Sequence, residues 1–238
     1  MKEHYRIADL DVLLDPHFEP LLSRSKAYRC GISAEMYPNV SMSQSQHDDW
    51  KAHYNEAEDP LLEYMITGSN FYTYLIEKSG MLLHASAVEM DGEAYLFSAN
   101  SGTGKSTHTA LWLKNFGDRA CIINDDKPAI RLLEDGVFVY GTPWSGKSDL
   151  NLNRKVPLRG ICFLERGATN EIESLAPSEA ITRIFEQTVR PKERRLATLL
   201  LSHMDRLLRT VPIWKLRCNM EDEAAHISYS AMSKGELK

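Results

Sequence analysis

The chain has 238 residues, of which 43% are hydrophobic and 26% charged, a composition that supports one large core. Its 33 acidic residues outnumber its 28 basic ones, and the net charge of −5 argues against general nucleic-acid binding. Because no apolar run reaches roughly 18 residues and the four cysteines form no C-x-x-C pair, we expect a cytoplasmic protein without a membrane partner, zinc site or disulfide framework.

Residues 1–78 are predicted to form a mainly β lead-in region packed on the rest of the chain. Residues 5–14 are apolar with few breakers, and prolines and glycines then interrupt the sequence. The aromatic and β-branched segment 71–76 fits either a strand or a short helix. The region could cover a sheet, bind substrate or mediate oligomerisation, and its sequence does not choose among these roles.

Residues 79–238 are predicted to form a nucleotide-binding α/β domain. Strands are expected at 81–88, 94–98, 120–124, 129–133, 137–140, 160–164 and 211–218, and helices at 105–116, 177–189, 192–209 and 221–232. The loop at 141–148 ends in Gly-Lys-Ser, and it is either solvated or brings Trp144 or Lys147 to a phosphate or an acceptor. His108, one turn into the first helix, is expected at the surface.

A glycine-rich loop with the sequence ANSGTGKS, at residues 99–106, follows the strand at 94–98. Its glycines allow backbone N–H groups to point at phosphate oxygens, and the helix that follows adds the positive end of its dipole. Lys105 would reach the β- and γ-phosphates, and the Ser106 hydroxyl would contact Mg²⁺. We predict that the nucleotide contacts Asn100, Ser101, Gly102, Thr103, Gly104, Lys105, Ser106 and Thr107.

One position of this loop departs from the usual pattern, because Ala99 stands where a glycine is expected. A small residue fits there if its φ stays negative. The alternative interpretation is an ordinary glycine-rich turn between a strand and a helix, which the SGTGKS core at 101–106 disfavours.

Two adjacent acids, Asp125 and Asp126, follow the strand at 120–124. A carboxylate at this place would lie beside the phosphates and could hold Mg²⁺. The second could act as a general base toward an attacking hydroxyl, because adjacent residues on an extended segment point in opposite directions. The alternative is a solvated turn that closes the strand. His84, alone on an apolar strand, is by itself more typical of a structural residue.

The segment 81–126 resembles the catalytic domain of HPr kinase/phosphorylase and, more distantly, PEP carboxykinase. The similarity rests on Leu83-His84-Ala85, on the loop at 101–106 and on Asn124-Asp125-Asp126. The resemblance implies an α/β fold with a single P-loop kinase domain of that type, which uses ATP and Mg²⁺. It also implies a homo-oligomer, as members of the group form oligomers.

The same resemblance suggests a role for each site residue. Asp125 would take the proton from an acceptor hydroxyl, while Asp126 and Ser106 would hold Mg²⁺. Lys105 would hold the triphosphate, and His84 would lie near the transferring phosphate or support the aspartate pair.

We therefore expect an ATP- and Mg²⁺-dependent kinase that transfers the γ-phosphoryl group to a hydroxyl, with the serine of a peptide or small protein as the favoured acceptor. A non-catalytic nucleotide-binding regulatory or accessory protein is one alternative, because binding alone needs only one acid. A small-molecule kinase of the same fold is another, and a closed acceptor pocket rather than an open groove would distinguish it.

Overall fold

The computed structural model describes residues 3–32, 35–100 and 102–234. The strands in these ranges are β1 (Glu3–Ile7), β2 (Leu10–Leu14), β3 (Arg29–Gly31), β4 (Gly80–Leu82), β5 (Ala85–Met90), β6 (Glu93–Ser98), β7 (Ala120–Asn124), β8 (Ala129–Leu133), β9 (Gly136–Tyr140), β10 (Lys155–Arg166), β11 (Glu171–Ser174) and β12 (Ile213–Cys218). The helices are α1 (Leu21–Arg24), α2 (Gln44–His53), α3 (Asp59–Glu77), α4 (Lys105–Phe116), α5 (Pro177–Glu186), α6 (Arg194–Thr210) and α7 (Glu223–Lys234).

The first 78 residues are not mainly β, which corrects the prediction for this region. Their three short strands form a small sheet in the order β2-β1-β3, but α2 and the 19-residue α3 contain more residues than those strands. Phe71, Tyr72, Leu75 and Ile76 are all buried, and this spacing places them on one face of α3. Packing of that face therefore overrides the strand preference of aromatic and β-branched residues. The domain boundary at 78/79 stays a prediction.

The main sheet contains nine strands among the described residues. Seven strands follow the order β4-β8-β9-β10-β6-β5-β7, while β12 pairs with β10 and β11 pairs with β12. The first residues of β10 pair antiparallel with β9, and its later residues pair parallel with β6 and β12. One long strand thus belongs to both halves of the sheet.

The glycine-rich loop, the two aspartates and His84 all lie at one end of the strands β5, β6 and β7. Strand β5 lies between β6 and β7 and runs antiparallel to both, so the ends of β6 and β7 lie beside the start of β5. The glycine-rich loop follows β6, Asp125 and Asp126 follow β7, and His84 precedes β5. The strand directions alone therefore bring these three segments together.

Helices cover both faces of the sheet, so the mixed α/β fold class is confirmed. Buried residues of α5 and α6 pack on one face, with Ile184, Leu200 and Met204 in that core. Helices α4 and α7 pack on the other, where Trp112 lies fully buried beside Met232. Within the part of the chain that the structure describes, no helix has the length and apolar character needed to span a bilayer.

His108 is not at the surface, contrary to the prediction. Its side chain lies between α4 and α7, only 3% exposed, and its Nε2 atom is 3.1 Å from the Ser228 hydroxyl. Trp112 Nε1 donates to the same hydroxyl at 2.9 Å. Burial lowers the pKa of His108 to about 4, so the imidazole is neutral at pH 7.

Candidate functional site

The loop between β6 and α4 has the backbone geometry of a phosphate-binding turn. Gly102 and Gly104 have φ values of +76° and +119°, which only glycine adopts readily, and α4 begins directly after Gly104. Such left-handed residues help successive N–H groups point into one concavity. Ala99 is buried and is not among the residues with positive φ, as its side chain requires. Lys105 Nζ donates to the Ala99 carbonyl at 2.8 Å, which closes the loop.

A cavity of about 490 Å³, here called the loop cavity, lies at the start of α4. It is lined by His84, Gly102, Gly104, Lys105, Ser106, Thr107, Asp125, Asp126, Gly146, Lys147 and Ser148. Most of the predicted site residues therefore meet in one cavity. Asn100 and Thr103 instead line a different cavity, beside α5, and Ser101 lies outside the described residues.

Asp125 is the more deeply buried of the two carboxylates, with 7% of its surface exposed. The Ser86 hydroxyl donates to Oδ1 at 2.7 Å, and the Ser148 hydroxyl donates to Oδ2. These two hydroxyls therefore fix both oxygens of the carboxylate. Burial costs a charged carboxylate less when its oxygens accept such hydrogen bonds.

Asp126 is held by two basic side chains. His84 Nε2 lies 2.7 Å from Oδ1, and Lys127 Nζ lies 3.0 Å from Oδ2. Burial acts to raise the pKa of Asp126, but the hydrogen bond to His84 and the charge of Lys127 outweigh it and lower the pKa to about 2. The carboxylate is therefore ionised throughout the neutral range.

His84 is itself fixed by a residue from α5's C-terminal end. Its Nδ1 lies 3.0 Å from Gln187 Oε1, and its backbone N–H donates to the Gln187 carbonyl at 2.7 Å. The Gln187 amide also donates to Asn100 Oδ1 at 3.0 Å. One glutamine thus links the histidine to the glycine-rich loop.

Asn124 positions the aspartate pair. Its Oδ1 accepts from the backbone N–H groups of Asp126, at 3.0 Å, and Lys127, at 2.7 Å. Its amide donates to the Thr142 carbonyl at 3.0 Å, and the residue is fully buried. The turn that carries both carboxylates is therefore anchored to the core.

Lys105 directly follows the glycine-rich turn and is one of the cations that line the loop cavity. Its burial lowers its pKa, while the charges of Asp126 and Asp125 act in the opposite direction. The lysine therefore lies close enough to both carboxylates for their charges to favour its protonated form.

A second cavity, of about 380 Å³ and here called the Tyr64 cavity, adjoins the first. Its lining residues are Pro20, Arg24, Glu58, Pro60, Leu61, Tyr64, Asp126, Lys127, Ser145, Gly146 and Lys147. Asp126, Gly146 and Lys147 line both cavities, whereas Asp125 lines only the loop cavity. Asp126 is therefore the carboxylate at the border between the two.

Sequence reasoning missed three residues of the site. Ser86 lies two residues after His84, so the alternation of a strand places both side chains on one face. Ser148 ends the Gly-Lys-Ser run of the loop at 141–148, but nothing in that run predicts its hydrogen bond to Asp125. Gln187 carries no signal in the sequence, because its contact with His84 spans 103 positions.

Comparison with known proteins gives one family. A family model described as SynChlorMet cassette protein ScmC matches residues 52–224, which is more than half of the chain. The chain belongs to this family. The part that matches the ScmC family includes every residue that lines the loop cavity, whereas Pro20 and Arg24 of the Tyr64 cavity lie before it.

The other comparisons add little to the ScmC family assignment. No curated protein matches the chain. Among solved structures, the Hpr(Ser) kinase/phosphatase from Coxiella burnetii matches with 11% sequence identity and a TM-score of 0.33, over 65% of this chain and 99% of that chain. At this level, the superposition carries no argument about function.

Proposed function

We propose that the chain is an ATP- and Mg²⁺-dependent phosphotransferase that transfers the γ-phosphoryl group to a hydroxyl, with the serine of a peptide or small protein as its favoured acceptor. The observation that carries the proposal is the loop cavity. It combines a glycine-rich turn at a helix N-terminus, a lysine and two fixed carboxylates. Phosphoryl transfer depends on this combination, because it needs positioned charges more than covalent chemistry.

The donor nucleotide would bind through the glycine-rich turn. The backbone of Gly102 to Ser106 would hold the phosphate oxygens, and Lys105 would leave the Ala99 carbonyl to contact them. Within the described residues, no three His, Cys, Asp or Glu side chains form a cluster able to hold a metal ion. Mg²⁺ commonly takes one or two carboxylates and completes its shell with substrate phosphates and water, and Asp125 and Asp126 of the loop cavity supply that number of carboxylates.

Either of the two carboxylates, Asp125 or Asp126, could accept the proton while the other holds Mg²⁺. The family resemblance implies that Asp125 takes the proton and that Asp126 and Ser106 hold Mg²⁺. The border position of Asp126 supports the opposite division, because an acceptor that enters through the Tyr64 cavity meets Asp126 first. We therefore propose that Asp126, oriented by His84, positions the hydroxyl and accepts its proton as the new P–O bond forms, when the hydroxyl has become acidic enough for a carboxylate of low pKa to take it. Asp125 and Ser106 would hold Mg²⁺, which would neutralise charge on the phosphates.

Labelled ATP tests the proposal directly. The protein is incubated with γ-labelled ATP, Mg²⁺ and a library of synthetic peptides that carry serine, threonine or tyrosine. We expect label on serine peptides, and we expect D126N to bind a fluorescent ATP analogue while losing transfer. Nucleotide binding with no labelled acceptor would instead support the non-catalytic alternative.

Metal rescue distinguishes the two divisions of roles. A variant that lacks a metal ligand needs more Mg²⁺, so its transfer rate should recover in part as Mg²⁺ is raised. A variant that lacks the proton acceptor does not recover. We expect the transfer rate to recover in D125N and not in D126N. The reverse result would show that Asp125 is the proton acceptor.

A further inference from the structure

The Tyr64 cavity is built largely by the first third of the chain, whose role the sequence left open. Residues 20–24 and 58–64 supply its outer wall, and the Asp126–Lys127 turn with residues 145–147 supplies the inner wall. The two walls are joined directly. Tyr64 Oη donates to the Ser145 carbonyl at 2.7 Å, and Arg24 donates to the Ser145 and Gly146 carbonyls at 2.6 and 3.0 Å.

Three of the five charged side chains that line this cavity, those of Arg24, Asp126 and Lys127, have partners in ion pairs. The Arg24 side chain, 8% exposed, makes an ion pair with Asp149 as well as its two carbonyl contacts. Lys127 Nζ contacts Asp126 and lies 4.7 Å from the centre of the Tyr64 ring. Neither Arg24 nor Lys127 therefore requires a negative charge from a ligand in this cavity.

The apolar part of the cavity is open to solvent. Pro20, Pro60, Leu61 and the Tyr64 ring form it, and Leu61 is 51% exposed. Pro20, Glu58, Leu61 and Lys147 all lie at the solvent-exposed rim, so the cavity is a groove rather than a closed pocket. A peptide chain can extend beyond such an open groove, whereas a small metabolite would gain little burial there.

We propose that the Tyr64 cavity is the acceptor subsite, and that it selects a serine-bearing peptide with an apolar side chain next to the serine. The apolar side chain packs on Leu61, Pro60 and the Tyr64 ring, which places the neighbouring hydroxyl at Asp126. This inference rests on the proposed phosphotransferase function and names the substrate class of the same site.

The chemical step that this placement serves is balanced. The serine oxygen forms a bond to the γ-phosphorus of ATP, and the bond from that phosphorus to the β,γ-bridging oxygen breaks to leave ADP. The serine proton passes to Asp126. Lys147, which lines both cavities, would lie beside the phosphoryl group during transfer.

A peptide library with a fixed serine and one varied neighbour tests the inference. Transfer of label from ATP and retention of unlabelled peptides on immobilised protein are measured separately. We expect both to favour leucine, phenylalanine and tyrosine at the varied position. Because burial of one such side chain contributes about 1.5–3 kcal/mol, L61E should lose about tenfold or more in both readouts.

L201E is the matched control, because Leu201 is 49% exposed on α6 and lies outside both cavities. It should behave like the wild type. L61E should also keep wild-type affinity for a fluorescent ATP analogue, which shows that the loop cavity is intact.

The possible outcomes separate the inference from the proposed function. Transfer without an apolar preference, or transfer unchanged in L61E, would overturn the subsite and leave the phosphotransferase standing. Retention that depends on Leu61 but without transfer would support the peptide subsite and refute the phosphotransferase. Neither transfer nor selective retention would overturn both.

Discussion

His84 Nε2 and Asp126 Oδ1 lie 2.7 Å apart where the start of β5 meets the end of β7, although 42 positions separate the two residues in the sequence. The contact fixes the carboxylate at the border of the loop cavity and the Tyr64 cavity. Lys127 contacts the other oxygen at 3.0 Å, so both oxygens have a basic partner. This pairing makes the ionised form of Asp126 the stable one.

The stability of the protein should therefore depend on Asp126 below pH 4. The pKa of this carboxyl is about 2 in the folded chain, against 3.8 without the fold. A group whose pKa falls on folding stabilises the protein above its unfolded pKa, and that contribution is lost as the pH falls from about 4 to 2. The difference corresponds to about 2 kcal/mol. We expect the free energy of unfolding, measured with urea at pH 6 and at pH 2, to fall by about 2 kcal/mol less in D126N than in the wild type.

Asp222 provides the control for this measurement. Its carboxylate pairs with Lys114 at the surface, where 46% of its side chain is exposed. Solvent screens such a pair, so D222N should lose almost as much stability on acidification as the wild type. Identical pH dependence in D126N and the wild type would contradict the assigned shift.

Lys105 should control nucleotide affinity with little effect on the fold. Its contact in the structure is the Ala99 carbonyl at 2.8 Å, and its burial disfavours the charged form, so methionine replaces it at small cost. Loss of a charged hydrogen bond to phosphate costs about 1.5–3 kcal/mol, hence K105M should bind a fluorescent ATP analogue at least about tenfold more weakly. K114M, an exposed change on the same helix, should bind normally. Equal affinities in both variants would reject the phosphate role.

Ser86 and Ser148 should support transfer by fixing Asp125. Both hydroxyls donate to its carboxylate, but Ser86 is fully buried and Ser148 is exposed. S148A should lower the transfer rate about tenfold at unchanged stability, whereas S86A should also lower the free energy of unfolding by about 1–3 kcal/mol. S230A, an exposed serine change on α7, is the control. A transfer rate unaffected by S148A would show that Asp125 needs no such support.

Local sequence patterns predicted the parts of the site that local geometry determines. The two glycines of the loop, the helix that begins at Lys105 and the strand before Asp125 all follow from residues that lie close together in the chain. The meeting of His84 with the aspartates was reached only through a family resemblance. No spacing rule by itself relates residues 84 and 126.

The rest of the site depends on contacts between distant segments. Tyr64 meets Ser145 across 81 positions, and Arg24 meets it across 121. Neither contact leaves a periodic or compositional trace, so the outer wall of the Tyr64 cavity could not be predicted. The sequence leaves residues 71–76 open between a strand and a short helix for a related reason, because burial against the core, rather than intrinsic preference, decides how they fold.

Arg24 and Tyr64 should hold the segment 145–149 in place. R24M removes two hydrogen bonds to that segment and the ion pair to Asp149, whereas Y64F removes one hydrogen bond and keeps the ring. We expect faster amide hydrogen exchange across 145–149 in R24M and a smaller increase in Y64F.

The rate of phosphoryl transfer should fall more in R24M than in Y64F, because Lys147 and Ser148 lose their fixed positions in the loop cavity. Nucleotide affinity should change less, since the glycine-rich turn is untouched. R209M, which removes an exposed ion pair within α6, should leave both exchange and transfer unchanged. Slow exchange retained at 145–149 in R24M would show that the segment is held by the inner wall alone.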